Sequence, residues 1–324
     1  MMSNHFAAIR RTAIFAALCC LFSTTVPAQN KLRDALDSNG DDRADFTVFR
    51  PSTNTWFTLF SDNSGSTANN FGLANSDFMT PGDYDGDGRG DLSVWRDTDG
   101  VHYRILSSTN TFVADPFGAS SDEPVNRDYD GDGKTDLAVV RRSNGTMTWF
   151  IFRSTDLGFS ATQFGLATDF TAPGDYDGDG RFDVAIQRPG ATPTSQAVFY
   201  AFRSSDSGFM IAGWGFGNDL VVPGDYDGDG KTDLAVVREG ANPTDQLVWY
   251  INRSSDGNAI IVPFGLSASD YSVQNDYDGD GKTDIAIWRD TTGQFFYFGS
   301  LAGNVAVVPF GSTGDYPVAG YDTH

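Results

Sequence analysis

Short apolar runs bounded by Gly, Pro and Asp recur from about residue 32 to the end of the chain, at a regular spacing. Each unit opens with a stretch such as Leu137-Ala-Val-Val-Arg141 or Ile285-Ala-Ile-Trp-Arg289, rich in β-branched residues and without helical spacing, which predicts a strand. These runs all close on arginine, at Arg50, Arg96, Arg141, Arg188, Arg238 and Arg289. A turn and an aromatic strand follow, as in Thr55-Trp56-Phe57, His102-Tyr103, Thr148-Trp149-Phe150, Val198-Phe199-Tyr200, Val248-Trp249-Tyr250 and Phe295-Phe296-Tyr297. A third strand ends in Phe-Gly at Phe71, Phe117, Phe164, Phe216, Phe264 and Phe310. A short stretch, often ending Pro-Gly as at Pro81-Gly82, Pro173-Gly174 and Pro223-Gly224, leads into the next unit. Four short strands per unit match one blade of a β-propeller. First runs that are apolar on both faces fit sheets packed between two neighbours.

Between the units one phrase recurs six times, with successive starts 46, 45, 47, 50 and 51 residues apart. Acids occupy its positions 1, 3, 5 and 9, Gly its position 6, and a basic residue its position 7. The regular copies are Asp83, Asp85, Asp87, Arg89 and Asp91; Asp128, Asp130, Asp132, Lys134 and Asp136; Asp175, Asp177, Asp179, Arg181 and Asp183; Asp225, Asp227, Asp229, Lys231 and Asp233; and Asp276, Asp278, Asp280, Lys282 and Asp284. The first copy is degenerate: Asp37, Asn39, Asp41, Arg43 and Asp45, with Asp42 in place of the position-6 glycine. Alternate side chains converging around a sharp glycine turn are the first part of an EF-hand-type calcium loop, and the position-7 carbonyl can add a ligand. Calcium takes six to eight hard oxygens, which this donor set supplies. Zinc is disfavoured because Cys and His are nearly absent, and magnesium wants a tighter octahedron. Position 12 holds an apolar residue such as Val94, Val139 or Ile287 where an EF-hand carries Glu, so the loop joins two strands and not two helices. A metal-free Gly/Asp turn is the plain alternative. Against it, the acids keep their register over six copies, and clustered carboxylates without a cation repel one another. About five to six ions are expected, the first loop binding more weakly.

The Phe-Gly and Pro-Gly landmarks together with the Asp-x-Asp-x-Asp-Gly-x-x-Asp loop resemble the FG-GAP/VCBS-type calcium-loop repeats also found in the β-propeller of integrin α subunits. The resemblance covers about Leu32 to Asp322. It implies an all-β propeller of four-stranded blades with a calcium loop between the first and second strands of each blade. Six blades are expected and seven are the alternative, because the tail Pro317-Val-Ala-Gly-Tyr-Asp322 matches the start of a further unit. That tail can instead close the ring by pairing in the first blade.

Residues 1–28 read as a cleaved export signal: Arg10-Arg11, an apolar run from Ala13 to Phe22, and Val26-Pro27-Ala28 as a small-residue cleavage site. The run is too short to span a bilayer, and an N-terminal anchor is the alternative. Both cysteines, Cys19 and Cys20, lie within it, so residues 29–324 form a single cysteine-free propeller domain. The expected location is extracellular or periplasmic, with calcium in place of disulfides as the staple.

Composition narrows the function. There are 43 acidic against 22 basic residues, for a net charge of −21, and only Glu123 and Glu239 are glutamate. So strong a preference for the short acid fits ligation better than solvation. An acidic surface repels phosphate, which disfavours nucleic acid. The 26 Phe and 40% apolar residues argue against disorder. No Cys nucleophile or His-paired Ser emerges, since the histidines are only His5, His102 and His324. The leading expectation is a non-catalytic binding or adhesion module for a glycan or a surface protein. A calcium-dependent, lyase-like polysaccharide enzyme and a purely structural extracellular component are the alternatives. Trp214 is the best candidate for stacking on a sugar, whereas Trp56, Trp149 and Trp249 read as blade core. The six strand-ending arginines are expected to form structural ion pairs with a loop Asp.

Overall fold

The computed structural model of the chain describes residues 35–319, so the stretch expected to be an export signal, both cysteines and the final Asp322-Thr-His324 lie outside the described residues. Six four-stranded antiparallel sheets are arranged as six blades. The fourth blade is representative, with strands Phe170–Thr171, Val184–Arg188, Gln196–Phe202 and Phe209–Phe216 in that spatial order. The first strand of a blade is two or three residues long and lies at the hub, while the fourth presents its free edge at the rim.

The ring closes as a clasp. The first blade takes its second, third and fourth strands from Phe46–Arg50, Thr55–Leu59 and Ser66–Asn70, but its innermost strand is Tyr316–Pro317 from the far end of the chain. Val48 pairs with Pro317 and Phe49 with Tyr316. The tail resembling a seventh unit is therefore the missing strand of the first.

Second strands such as Leu137-Ala-Val-Val140 and Leu234-Ala-Val-Val237 are buried along both faces, as expected between two packed sheets. Third strands alternate, with one face buried. The buried face carries a fully enclosed ring, Trp56, His102, Trp149, Phe199, Trp249 or Phe295; in the second and sixth blades Trp95 and Trp288 enter beside it from the second strand. Each indole N–H donates to the carbonyl of the Phe-Gly phenylalanine: Trp56 to Phe71, Trp95 to Phe117, Trp149 to Phe164, Trp249 to Phe264 and Trp288 to Phe310, at 2.9–3.2 Å. The glycine that follows needs positive φ, 103° at Gly165, and its missing side chain leaves room for Met147 and for Ile186 of the next blade.

Candidate metal centres

Five acidic loops link the end of an innermost strand to the start of the second strand, and the first leads directly into the second strand of the first blade, so all six lie at one end of the propeller. The fourth loop shows how the sequence folds itself. Asp175 Oδ1 accepts from the backbone N–H of Gly178 (2.7 Å) and Asp179 (3.1 Å), and Oδ2 from that of Gly180 (2.9 Å). Gly178 and Gly180 hold φ of 78° and 85°, which brings those amides round. Asp183 ties the loop down, accepting from Tyr176 N–H at 3.0 Å and from Ser204 N–H at 2.8 Å. The remaining acids point the same way: Asp179 Oδ1 accepts from Arg181 N–H, and Asp177 Oδ2 from the Ser205 hydroxyl at 2.6 Å.

This geometry gathers five groups of acids whose ligand atoms lie within 4.8 Å of one another: Asp83, Asp85 and Asp91; Asp128, Asp130 and Asp136; Asp175, Asp177 and Asp183; Asp225, Asp227 and Asp229; Asp276, Asp278 and Asp284. Among the described residues, Asp87, Asp132, Asp179, Asp280 and Asp233 fall outside these tight groups, although their loops keep the same hydrogen bonds. The position-7 residues Arg43, Arg89, Lys134, Arg181, Lys231 and Lys282 each donate a backbone N–H to the position-5 carboxylate. The first loop has the same fold, with Asp37 and Asp45 buried and Asp42 at φ 64° in the glycine position, but Asn39 supplies only an amide and no comparable acidic group forms there.

Burial raises the position-9 carboxyls, to about 7 at Asp45, Asp136, Asp183, Asp233 and Asp284 and to about 6 at Asp91. Burial also raises Asp175 to about 6, and Asp37, Asp83, Asp225 and Asp278 in the same direction, with neighbouring acids adding to the effect. At Asp278 the Arg43 charge from the first loop opposes that rise. Several carboxylate oxygens are buried with no hydrogen-bond partner at all: Asp41 Oδ2, Asp177 Oδ1 and Asp278 Oδ1. A buried anionic oxygen without a donor is costly, and a cation at the convergence point relieves it. The all-oxygen donor set fits a hard divalent ion.

Two further parts of the loops escape a reading of the acids alone. The turn between third and fourth strands caps them: Ser107-Ser108, Ser154-Thr155, Ser204-Ser205 and Ser254-Ser255 direct hydroxyls onto position-3 and position-5 carboxylates. The repeated Arg-Ser-Ser/Thr-Asp of Arg153–Asp156, Arg203–Asp206 and Arg253–Asp256 is their sequence signal. At position 2 the buried Tyr84, Tyr129, Tyr176, Tyr226 and Tyr277 donate their hydroxyls to a carbonyl four residues back, pinning the loop to its innermost strand.

The loops also join one another. The position-8 N–H of each donates to the position-1 carbonyl of the preceding loop: Gly90 to Asp37, Thr135 to Asp83, Phe182 to Asp128, Thr232 to Asp175, Thr283 to Asp225 and Ala44 to Asp276, at 2.6–2.9 Å. Six blades make six bonds, and the circle is complete.

The opposite end of each blade treats its aspartates differently. The six arginines pair with Asp315, Asp77, Asp122, Asp169, Asp219 and Asp270, acids next to or within the short innermost strands and not in the acidic loops. Each guanidinium also lies 4.4–4.9 Å over a third-strand ring: Phe57, Tyr103, Phe150, Tyr200, Tyr250 or Phe296. His102 fills the enclosed aromatic slot of the second blade, where burial pushes its pKa down to about 3 and keeps it neutral. Trp214 is no open stacking platform. The strand register puts Trp214-Gly215, and not Phe216-Gly217, in the Phe-Gly position of the fourth blade, and the indole N–H donates 3.1 Å across to Tyr250 O in the fifth. The enclosed slot of that blade holds Phe199, which has no N–H to give.

The FG-GAP-like repeat family matches residues 128–186, from the third acidic loop through the fourth and into the second strand of the fourth blade. The same loop, strand and Phe-Gly geometry recurs around the other blades. Residues 128–186 thus carry an FG-GAP-like repeat within a six-bladed propeller. Among solved structures it resembles a triple arginine-to-alanine mutant of AofleA from Arthrobotrys oligospora, with TM-score 0.52, 8% identity and 84% of each chain covered. At that identity the likeness concerns the fold alone. A mutant apocarotenoid oxygenase from Synechocystis overlaps at TM-score 0.39 and 9% identity, over 72% of this chain and 59% of that one, too loosely to inform the reading. No curated protein matches.

Proposed function

We propose that this propeller is an exported, calcium-stabilised binding module whose ligand is a glycan or a surface protein. The observation that carries the metal part is the set of five all-oxygen acidic groups, with buried unpartnered oxygens at Asp177 and Asp278. Asp83, Asp85 and Asp91 and their equivalents would hold the ions, with the position-5 acids and position-7 carbonyls completing the shell. Calcium fits loops of this breadth and flexibility better than magnesium. The metal's part is structural: it holds carboxylates together that otherwise repel.

Support for binding comes from the end away from the loops. There the arginine–aromatic stacks are partly exposed, and Phe78, Phe170 and Tyr316 on the innermost strands are 44%, 48% and 50% exposed. Flat rings beside guanidinium donors suit sugar rings and their hydroxyls. A glycan array probed in calcium and again in chelator tests this: retention on a defined glycan class is expected in calcium alone. Failure of the folded, calcium-loaded protein to bind any glycan removes that ligand class. Release of shortened, unsaturated sugar would instead establish the lyase-like activity.

A further inference from the structure

The glycine at position 4 is the one loop glycine kept in all six copies, Gly40 included. Backbone conformation gives part of the reason, since φ there is 78–82°. The rest comes from the next blade, whose position-7 side chain lies across it. A Cβ on Gly178 would come within 3.0 Å of Lys231 Cγ and 3.1 Å of its Cε; on Gly86, within 2.8 Å of Lys134 Cε; on Gly228, within 3.0 Å of Lys282 Cε. The arginines do the same with Nε, which comes within 3.2 Å at Gly131 from Arg181, 2.8 Å at Gly279 from Arg43 and 3.2 Å at Gly40 from Arg89. Every loop thus receives a basic side chain from its neighbour, and Arg43 returns to the sixth loop to close the circle. The position-8 N–H of the same neighbour anchors the contact through its bond to the position-1 carbonyl.

We propose that each position-7 side chain acts in trans, as a tethered counter-cation that stabilises the preceding blade's acidic loop without metal and sets that loop's affinity for a divalent ion. The inference rests on the loops being metal sites only for its second half. A positive group held beside clustered carboxylates offsets their repulsion, and the same charge opposes an incoming divalent cation. Because the side chains lie near solvent, both effects weaken as ionic strength rises.

Lys231→Met tests the idea, keeping the aliphatic stem over Gly178 and removing the charge, with Lys231→Arg as the conservative variant. In chelator Lys231→Met should melt several degrees below the parent and Lys231→Arg alongside it. In calcium calorimetry Lys231→Met should tighten one site by roughly three- to tenfold at low salt, with the gain shrinking at high salt. The site is located by two backgrounds. The gain should vanish when the fourth loop is disabled by Asp179→Ala and persist when Lys231's own loop is disabled by Asp229→Ala. The reverse pattern overturns the trans assignment, and an unchanged chelator-state melting temperature overturns the counter-cation role whether or not calcium binds. No calcium uptake by the parent, with the melting difference intact, would leave the counter-cation role standing and overturn the affinity half along with the metal reading.

Discussion

Removing calcium should cost this protein much of its stability, and the structure gives both the size and a pH signature. Five acidic groups bring three carboxylates each within 4.8 Å. An ion that binds only the folded form adds RT ln(1 + [L]/Kd), or about 1 kcal/mol per site at a several-fold excess of calcium over Kd. Five sites give about 5 kcal/mol, comparable with a typical net stability of ~5–15 kcal/mol. In thermal terms that is on the order of 10–15 °C for a domain of this size. The assay is a melting curve in calcium, in excess chelator, and after re-addition of calcium or magnesium, with calcium restoring the parent curve and magnesium restoring it poorly. The pH signature comes from the position-9 acids. Their folded-state pKa of about 7 lies above the unfolded value of 3.8, so the metal-free protein gains stability as pH falls through 7 towards 4. His102, held near 3 by burial, acts in the opposite sense and removes stability as pH falls below about 6.5. One histidine against several carboxyls leaves the acidic gain dominant between pH 8 and 6. Protons compete with calcium for the same oxygens, so the calcium-loaded and chelated curves should converge on acidification. An unchanged melting temperature in chelator, with metal removal confirmed by elemental analysis, refutes the staple role.

Trp249→Phe removes the N–H that satisfies Phe264 O and leaves a small void, so a loss of about 2–4 kcal/mol is expected by denaturant titration; a loss below half of that would mean the bond is dispensable. Asp219→Ala strands the Arg238 guanidinium on its aromatic rings, and because Arg238 is a quarter exposed and can rehydrate, about 2–3 kcal/mol should be lost; Arg238→Met in the same background should recover part of it. Asp179→Ala should remove one ion from the calorimetric stoichiometry and leave four, and loss of all metal would show that the loops bind as one unit.

The periodic features of the fold were legible because they repeat. The acidic phrase, the doubly apolar second strand and the arginine at its end each occupy a fixed place in the unit, and the tail Pro317–Asp322 shows in sequence as either a closing strand or the start of a seventh unit. Features created by the closed ring were hidden. The side chain of Lys231 belongs to one loop by sequence and lies over Gly178 in another, a juxtaposition set by blade rotation and not by the spacing of 46, 45, 47, 50 or 51 residues. The sequence alone points to a loop acid as the partner of Arg238, yet antiparallel pairing places the end of the second strand beside the start of the first, where Asp219 stands. Trp214 misled for a local reason. Two aromatic-glycine pairs, Trp214-Gly215 and Phe216-Gly217, stand in tandem, and only the bulge between third and fourth strands decides which takes the turn.

The chain uses aspartate at both ends of every blade but neutralises it in two ways. At one end each buried carboxylate meets a guanidinium in two hydrogen bonds and accepts a backbone N–H as well, as Asp219 does from Arg238 and Phe216. That charge is settled within the blade. At the other end the acids face one another, and a basic side chain from the neighbouring blade lies across the position-4 glycine of each loop. Much of the excess behind the net charge of −21 is therefore concentrated on one face, and five divalent ions, adding +10, would bring the whole to −11. Such a face attracts cations before any site closes around them. The position-1 carbonyls that bond to the next loop come from the same residues that fold their own loops, so an ion ordering one loop also orders the next loop's anchor. The ring that seals the fold and the chain of candidate metal sites are in this sense the same structure.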